Sequence, residues 1–285
     1  MERLSLRAPA KVNLRLEVLG KRPDDYHEIK TWMYPISLAD ELTVVREASA
    51  GISLACSHPG LPVKEENLAY RAASLFLKEH ALAGGVRIKL TKRIPVAAGL
   101  GGGSSDAATV LKAMDILWQT QMPPEALQEM GAALGSDVPF FIVGKGAVMG
   151  GRGERVMSVL PPLTAWLVLV NPGVPLSTQQ VYQQGKWGLT KQGGETKIPK
   201  PPQDLKKMGD FLRNDLERPA RELLPIIGEI KEKLHAAGAH GVLMAGSGPT
   251  VFGFCDTEAE AQQAAREATR AKGWLSFVAH TLTEA

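Results

Sequence analysis

The sequence predicts an α+β protein of two domains, and three features carry that expectation. Strand-like alternation and helix-like apolar stripes are interleaved in both halves of the chain. A glycine-rich stretch, "GLGGGSS" at 99–105, stands directly before one of the helical stripes. Near residue 161 the texture changes, as "GKGAVMGGRGE" gives way to "PPLTAW" and a new apolar strand. A boundary there divides residues 1–160 from 161–285.

The first strand lies in "KVNLRLEVLG", where Val12, Leu14, Leu16 and Val18 alternate with Lys11, Asn13, Arg15 and Glu17. A half-buried strand reads this way, with Lys11 and Asn13 together on the face turned from the core. "EENLAYRAASLFLKEH" spaces Leu68, Ala72, Leu75 and Phe76 along one helical stripe, and "VRIKLTK" at 86–92 returns to alternation. After the glycine stretch, Ala107, Val110, Leu111, Met114, Leu117 and Trp118 mark a second helix. "PPEALQEMGAAL" opens a third, with its prolines in the first turn, where a missing N–H breaks no bond. In the second half "WLVLV" is a strand, and residues 185–207, polar and rich in Gly, Pro and Lys, predict a mobile surface loop. Leu223, Leu224, Ile227, Ile230 and Leu234 predict one helix. "GVLMA" and "VFGFC" are strands on either side of "GSGPT". "TEAEAQQAAREATRAKG" is a last helix and "LSFVAHTL" a last strand.

Composition narrows the function classes. In 285 residues, hydrophobic residues make up 44% and charged residues 22%, an ordinary globular balance. A net charge of +3 is too small to suggest a nucleic-acid partner without a clustered basic face. Cys56 and Cys255 give neither a disulfide framework nor a metal spacing, and read as core thiols in a reducing cytoplasm. The six histidines show no HxxxH pattern, which argues against a structural zinc site. "MERLSLRAPAKVNL" carries charges where a signal peptide needs an apolar stretch, and no apolar run approaches the roughly 18 residues of a membrane span. A soluble cytoplasmic protein with no membrane or nucleic-acid partner is expected.

Three elements point to chemistry. Gly99, Gly101, Gly102 and Gly103 lack Cβ atoms, so the backbone can take positive φ and approach a ligand closely. Ser104 or Ser105 can cap the following helix, whose free N–H groups and dipole favour an anion. Together these make either a phosphate cradle or a plain loop. A Walker A loop is excluded because no lysine follows Gly103, and the GxGxxG fingerprint fails because its third glycine would be Ser104. In "LGSDVPFF", Asp137 stands between a serine and an apolar run, as a carboxylate at a dry wall or as the cap of a turn before Pro139. Lys11 is either a solvated strand lysine or a cation that steadies charge at a reacting centre. A phosphoryl transferase acting on an alcohol needs a donor cradle, a carboxylate near the attacking hydroxyl and a cation.

These residues also carry a resemblance. "PVAAGLGGGSSDAA" resembles the ATP-binding loop of the GHMP kinases. "APAKVNLRLEVLGKRPDDYHEIKT" and "GSDVPFF" are similar to the branch whose alcohol substrate carries a cytidine diphosphate. "NLAYRAA" (67–73), "GRGE" (151–154), "NPG" (171–173), "NDLE" (214–217) and "AGSGPTVFG" (245–253) extend it over almost the whole chain. The resemblance implies a two-domain GHMP kinase fold with its active site in the cleft between domains. It implies ATP and Mg²⁺ as cofactors and cytidine diphosphate-linked methylerythritol as substrate, phosphorylated on its 2-hydroxyl. Pro95, Val96, Ala97, Ala98, Gly99, Leu100, Gly101, Gly102, Gly103, Ser104 and Ser105 would wrap the ATP phosphates, with Asn67 and Lys92 at the adenosine end. Asp137 would take or orient the hydroxyl proton, and Lys11 would stand beside it. Asn13 would hold the substrate; Tyr26 would stack on the cytosine and His27 would hydrogen-bond it. Tyr182, where the family pattern has a phenylalanine, would supply a second aromatic face, with Thr178 on the same segment. The loop from Gly246 to Thr250 would close over the site from the second domain. No acidic metal ligand is obvious, so the residues that hold Mg²⁺ stay unassigned. Two alternatives stay open: a GHMP kinase for homoserine, mevalonate or a sugar, and a non-catalytic nucleotide sensor on the same scaffold.

Overall fold

The computed structural model of the chain describes residues 2–185, 187, 198–270 and 272–284. Strand β1 (Arg3–Lys21) turns into β2 (His27–Glu47), and the two form a long antiparallel hairpin with bulges between Pro9 and Ala10, Asn13 and Arg15, and Val18 and Gly20. Strand β3 (Gly51–Cys56), helix α1 (Leu68–Glu79) and strand β4 (Gly85–Thr91) follow, with β3 and β4 parallel as a helical crossover requires. Helices α2 (Gly102–Trp118), α3 (Pro124–Leu134) and α4 (Val138–Val143) come next, and Pro124 opens α3 as the sequence predicts. Strands β5 (Ala147–Gly150) and β6 (Arg155–Val159) complete the first sheet on the β2 side.

Strand β7 (Trp166–Asn171) begins a second, antiparallel sheet. After α5 (Thr178–Gln184) and α6 (Met208–Phe211), the short strand β8 (Arg213–Asn214) returns to pair in parallel with Arg15 and Leu16 of β1. Helices α7 (Glu217–Leu223) and α8 (Ile226–Ala236) lead into β9 (His240–Met244), β10 (Val251–Cys255), α9 (Glu258–Thr269) and β11 (Leu275–His280). The second sheet runs β11-β7-β10-β9. The chain therefore stacks in four layers. Helices α1 to α4 cover one face of the first sheet, the sheets pack together through a shared core, and α8 and α9 cover the far face of the second. The apolar run of β7 follows from this: Leu167 and Leu169 face the first sheet while Val168 and Val170 face the helices.

Three expectations need correction. Strand β1 is buried on both faces from Ala8 to Leu14: Lys11 is 3% and Asn13 2% exposed, because the glycine loop lies over their side of the strand and Lys11 N donates to Leu100 O at 3.0 Å. The single helix expected through Leu223 and Leu234 is two, broken at Leu224 (φ −138°), since Pro225 disfavours helical geometry in the residue before it. Of the expected surface loop at 185–207, residues 186 and 188–197 lie outside the described residues. The rest is anchored. Ile198 packs on the core between the sheets, Trp32 Nε1 donates to Pro199 O at 2.8 Å, and Trp187 Nε1 donates to Tyr182 O at 2.7 Å.

Candidate active site

A cleft of about 1580 Å³ opens between the two halves. Lys11, Asn13, Tyr26, His27, Asn67, Lys92, Asp137, Thr178 and Tyr182 all line it, as do Pro95 through Ser104. Ser105 does not. It is fully buried in the first turn of α2, and its hydroxyl has no hydrogen-bond partner. Neither serine caps the helix. α2 starts after Gly101, in left-handed geometry (φ 73°, ψ 16°), with no side-chain cap bond. Its first N–H groups are thus left free of side-chain partners at the cleft, which is what an anion site requires.

The glycines of this loop have unequal work. A Cβ on Gly99 (φ +76°) would sit 2.1 Å from Ala245 O, and one on Gly101 2.9 Å from the Phe141 ring and 3.2 Å from Lys11 Cγ. Both positions are closed by protein. Gly103 is exposed, and a Cβ there would meet only Leu68 Cδ1 at 3.6 Å. Its missing side chain leaves space in the cleft. The side chains of Ala98 and Leu100 are buried in the core between the sheets, so what they offer a ligand is backbone.

Lys11 and Asp137 meet at the centre of the cleft, with Lys11 Nζ 3.7 Å from Asp137 Oδ2. Asp137 precedes α4 but makes no cap bond, so its carboxylate is not spent on the turn; it is 33% exposed. Lys11 Nζ donates to Asn13 Oδ1 at 2.7 Å, Asn13 Nδ2 to Thr31 Oγ1 at 2.8 Å, and Thr31 Oγ1 to Arg15 O at 2.9 Å. This chain fixes the Asn13 amide and aims the ammonium. Burial lowers the Lys11 pKa, and the Asp137 charge resists that fall. The loop after β9 comes up behind the pair: a Cβ on Gly246 would lie 2.9 Å from Lys11 Nζ, and Gly246 and Ser247 line the cleft. Asn214 holds that loop by donating to Met244 O at 2.8 Å and Gly246 O at 2.7 Å.

Lys92 lies beneath the start of α2, ion-paired with Asp40 and Asp106. Asp40 also accepts from Arg93 N (2.5 Å) and Ile94 N (2.9 Å), clamping the strand end that feeds the glycine loop. Burial works to lower the Lys92 pKa, but Asp106 and Asp40 more than offset it and the value is raised. Burial pushes Asp106 up to about 7, further than Lys92 pulls it down, and the Asp40 charge adds to the rise. Asn67 caps α1, accepting from Ala69 N at 2.9 Å and donating to Pro62 O at 2.8 Å.

Across the cleft the wall is aromatic. His27 and Tyr182 stack with centroids 4.9 Å apart, and Trp187 stands edge-on to His27 at 5.9 Å. Burial, with the Coulomb effect of Lys21, lowers the His27 pKa and so favours the neutral imidazole. Burial raises the Tyr182 pKa, and the Asp137 charge adds to it. Tyr26 is 53% exposed, with the Arg152 guanidinium 4.8 Å above its ring. Thr178 Oγ1 and Ser247 Oγ share a hydrogen bond of 2.7 Å that ties α5 to the loop after β9. Sequence reasoning missed Trp187, Arg152, Asp40 and Asp106. Only Arg152 had a visible signal, in the glycines that flank it.

A cleft between two such halves, with a glycine loop opening a helix and a lysine–carboxylate pair beside it, has the form of a GHMP-type small-molecule kinase. Comparison with known proteins agrees. The model described as "GHMP kinases N terminal domain" matches residues 67–145, and "GHMP kinases C terminal" matches residues 197–273. The 4-diphosphocytidyl-2-C-methyl-D-erythritol kinase of Geobacter metallireducens is 47% identical over 288 aligned positions, covering 99% of this chain and 100% of its own. That of Pelotomaculum thermopropionicum is 46% identical, covering 91% and 92%. A crystal structure of 4-(cytidine 5'-diphospho)-2C-methyl-D-erythritol kinase superposes with a TM-score of 0.81 at 39% identity, covering 98% of this chain and 99% of that one. Homoserine kinase from Cytophaga hutchinsonii shares the fold alone, with a TM-score of 0.75 at 17% identity over 100% and 96% of the two chains. The chain belongs to the 4-diphosphocytidyl-2-C-methyl-D-erythritol kinase family of the GHMP kinases.

Proposed function

We propose that this chain transfers the γ-phosphoryl group of ATP to the 2-hydroxyl of 4-diphosphocytidyl-2-C-methyl-D-erythritol, in the methylerythritol phosphate route to isoprenoid precursors. The observation that carries the reading is Asp137, a carboxylate free of any capping role, 3.7 Å from a buried lysine in the cleft between glycine loop and aromatic wall. In the proposed step the hydroxyl proton passes to Asp137, the oxygen forms a bond to the γ-phosphorus, and the bond to ADP breaks. Lys11 sets its positive charge beside Asp137 and steadies the charge that develops on the phosphoryl oxygens. Asn13, locked by its two hydrogen bonds, suits the substrate hydroxyls. The N–H groups of Gly102, Gly103 and Ser104, ahead of the first helical bond from Ser105 N to Gly101 O, suit the donor phosphates, and Asn67 and Lys92 border that side. Tyr26 and Tyr182 offer ring faces for cytosine, and His27 offers its edge a hydrogen bond.

Among the described residues no three His, Cys, Asp or Glu side chains converge on a metal site. A Mg²⁺ held by protein side chains alone does not fit the described residues; an ion bound through ATP phosphates and water does. The homoserine- and mevalonate-type alternatives share the fold at 12–18% identity, against 42–47% for the curated relatives. A sensor has no use for the Lys11–Asp137 pair. Residue 160 is our proposed end of the first domain, between β6 and β7. The proposed setting is the cytoplasm, which suits the free thiols of Cys56 and Cys255; among the described residues no helix is long and apolar enough to cross a membrane. Carbon–phosphorus coupling in the NMR spectrum of the product tests the reading. It should place the new phosphate on the carbon bearing the methyl group, and a phosphate on any other hydroxyl would refute it.

A further inference from the structure

We propose that Arg152 receives the diphosphate of the cytidine diphosphate-linked substrate, and so sets the span between base pocket and reacting hydroxyl. This rests on the function proposed above. Arg152 occupies a turn, Gly150 to Glu154, that is pinned to the strand just after Tyr26 and His27: Ile29 N donates to Gly151 O at 2.8 Å and Gly151 N to Glu28 Oε1 at 3.2 Å. Gly151 (φ +71°) and Gly153 (φ +114°) make the turn possible. On one side the Arg152 guanidinium lies over Tyr26; on the other, a Cβ on Gly153 would sit 3.8 Å from Asp137 Oδ1. Arg152 thus stands between the ring offered to cytosine and the carboxylate offered to the hydroxyl. In the substrate, the diphosphate lies between those same two groups.

Four cations line the cleft among the described residues. Three donate a side-chain hydrogen bond or hold an ion pair of 2.8 Å or less, while Arg152 has only the longer-range charges of Glu154 and Asp24 near it. Lys11 bonds Asn13 and faces Asp137, Lys92 holds Asp40 and Asp106, and Lys21 pairs with Asp25 at 2.8 Å. Arg152 Nε comes only to 3.9 Å of Glu154 Oε2. No hydrogen bond from its guanidinium to a described residue is formed within 3.5 Å; the Glu154 carboxylate instead accepts from Arg152 backbone N at 2.6 Å. A guanidinium stacked on a ring spends its flat face and keeps its N–H donors in plane, where a diphosphate is gripped at two oxygens.

Calorimetric titration with cytidine and with CDP, the donor side saturated by a non-hydrolysable ATP analogue, tests the assignment. Wild-type protein should bind CDP more tightly than cytidine. Arg152→Met should weaken CDP about tenfold or more, the loss of one charge-assisted contact, while cytidine affinity holds. Arg152→Lys should recover part of the loss. Equal weakening of CDP and cytidine would mean that Arg152 only props Tyr26, and an undiminished preference for CDP would mean that it touches no phosphate. Either result overturns the inference. A wild-type protein that binds neither ligand would instead overturn the proposed function beneath it.

Discussion

The glycine loop and the wall opposite face the same cleft but are built in different ways. The loop offers backbone. Its apolar residues are buried beneath it, Gly99 and Gly101 are closed in by neighbouring protein, and Asp40 clamps the strand end that feeds it. The opposite wall offers side chains from distant segments: Tyr26 and His27 after a hairpin turn, Arg152 on the β5–β6 turn, Tyr182 on α5 and Trp187 just beyond it. Backbone recognition tolerates no added atom, whereas a wall of side chains can be cut one contact at a time. Lys11 and Asp137 sit where the two meet.

The meeting point should give the largest effect. Asp137→Ala should lower kcat by about 10²–10⁴, as loss of a general base does, with both substrates still bound. Lys11→Ala should fall in the same range. Steady-state kinetics with parallel titrations would check this, and a kcat above about a tenth of wild type would remove Asp137 as the base. On the side-chain wall, Tyr26→Ala should raise KM for the cytidine substrate roughly ten- to a hundredfold, the worth of one stacking contact, and leave KM for ATP unchanged. Tyr26 is half exposed, so the fold should not suffer. An equal rise in both KM values would merge the two sides that the comparison separates.

On the backbone side the glycines themselves should divide. Gly103→Ala puts a methyl into open cleft within a helix, so it should weaken a non-hydrolysable ATP analogue about tenfold while thermal stability holds or rises slightly. Gly99→Ala should do the opposite of a clean binding mutant and cost more than about 1 kcal/mol of stability, from its positive φ and the Ala245 carbonyl. Should both behave alike, the loop has one function and not two. The smallest effect concerns Asp106. In the folded chain it keeps its proton up to about pH 7, against 3.8 ordinarily. The folded state therefore binds the extra proton between those values, and this contribution to stability is complete below 3.8 and lost as pH rises through 7. Asp106→Asn should flatten that slope in thermal unfolding across about pH 4 to 8. Parallel curves for variant and wild type would contradict it.

The same division explains what the sequence made legible. "GLGGGSS" is contiguous, so a backbone cradle shows in the order of the residues alone; so do the alternation of β1 and the stripe of α2. Asp137 was visible as a carboxylate among small and apolar residues, but its distance to Lys11 depends on α4 packing against α2, which in turn lies on β1. Burial of Lys11 and Asn13 was not visible, because alternation reports a polar face and not what covers it. Trp187 was lost within a stretch whose composition reads as loop, and Asp40 and Asp106 are brought to Lys92 from far apart in the chain. The break at Leu224 was in view, since Pro225 follows it, and the apolar spacing outweighed it in the reading.

One measurement bears on the central claim, that the aromatic wall selects a cytidine diphosphate-linked alcohol for the Lys11–Asp137 pair. It is kcat/KM for ATP consumption with that substrate, with homoserine and with mevalonate, side by side. A pocket that holds a base by stacking and hydrogen bonds should favour the cytidine substrate by at least about 10³-fold. Comparable values for any two of the three would mean that the wall does not choose the substrate, and the account would fall.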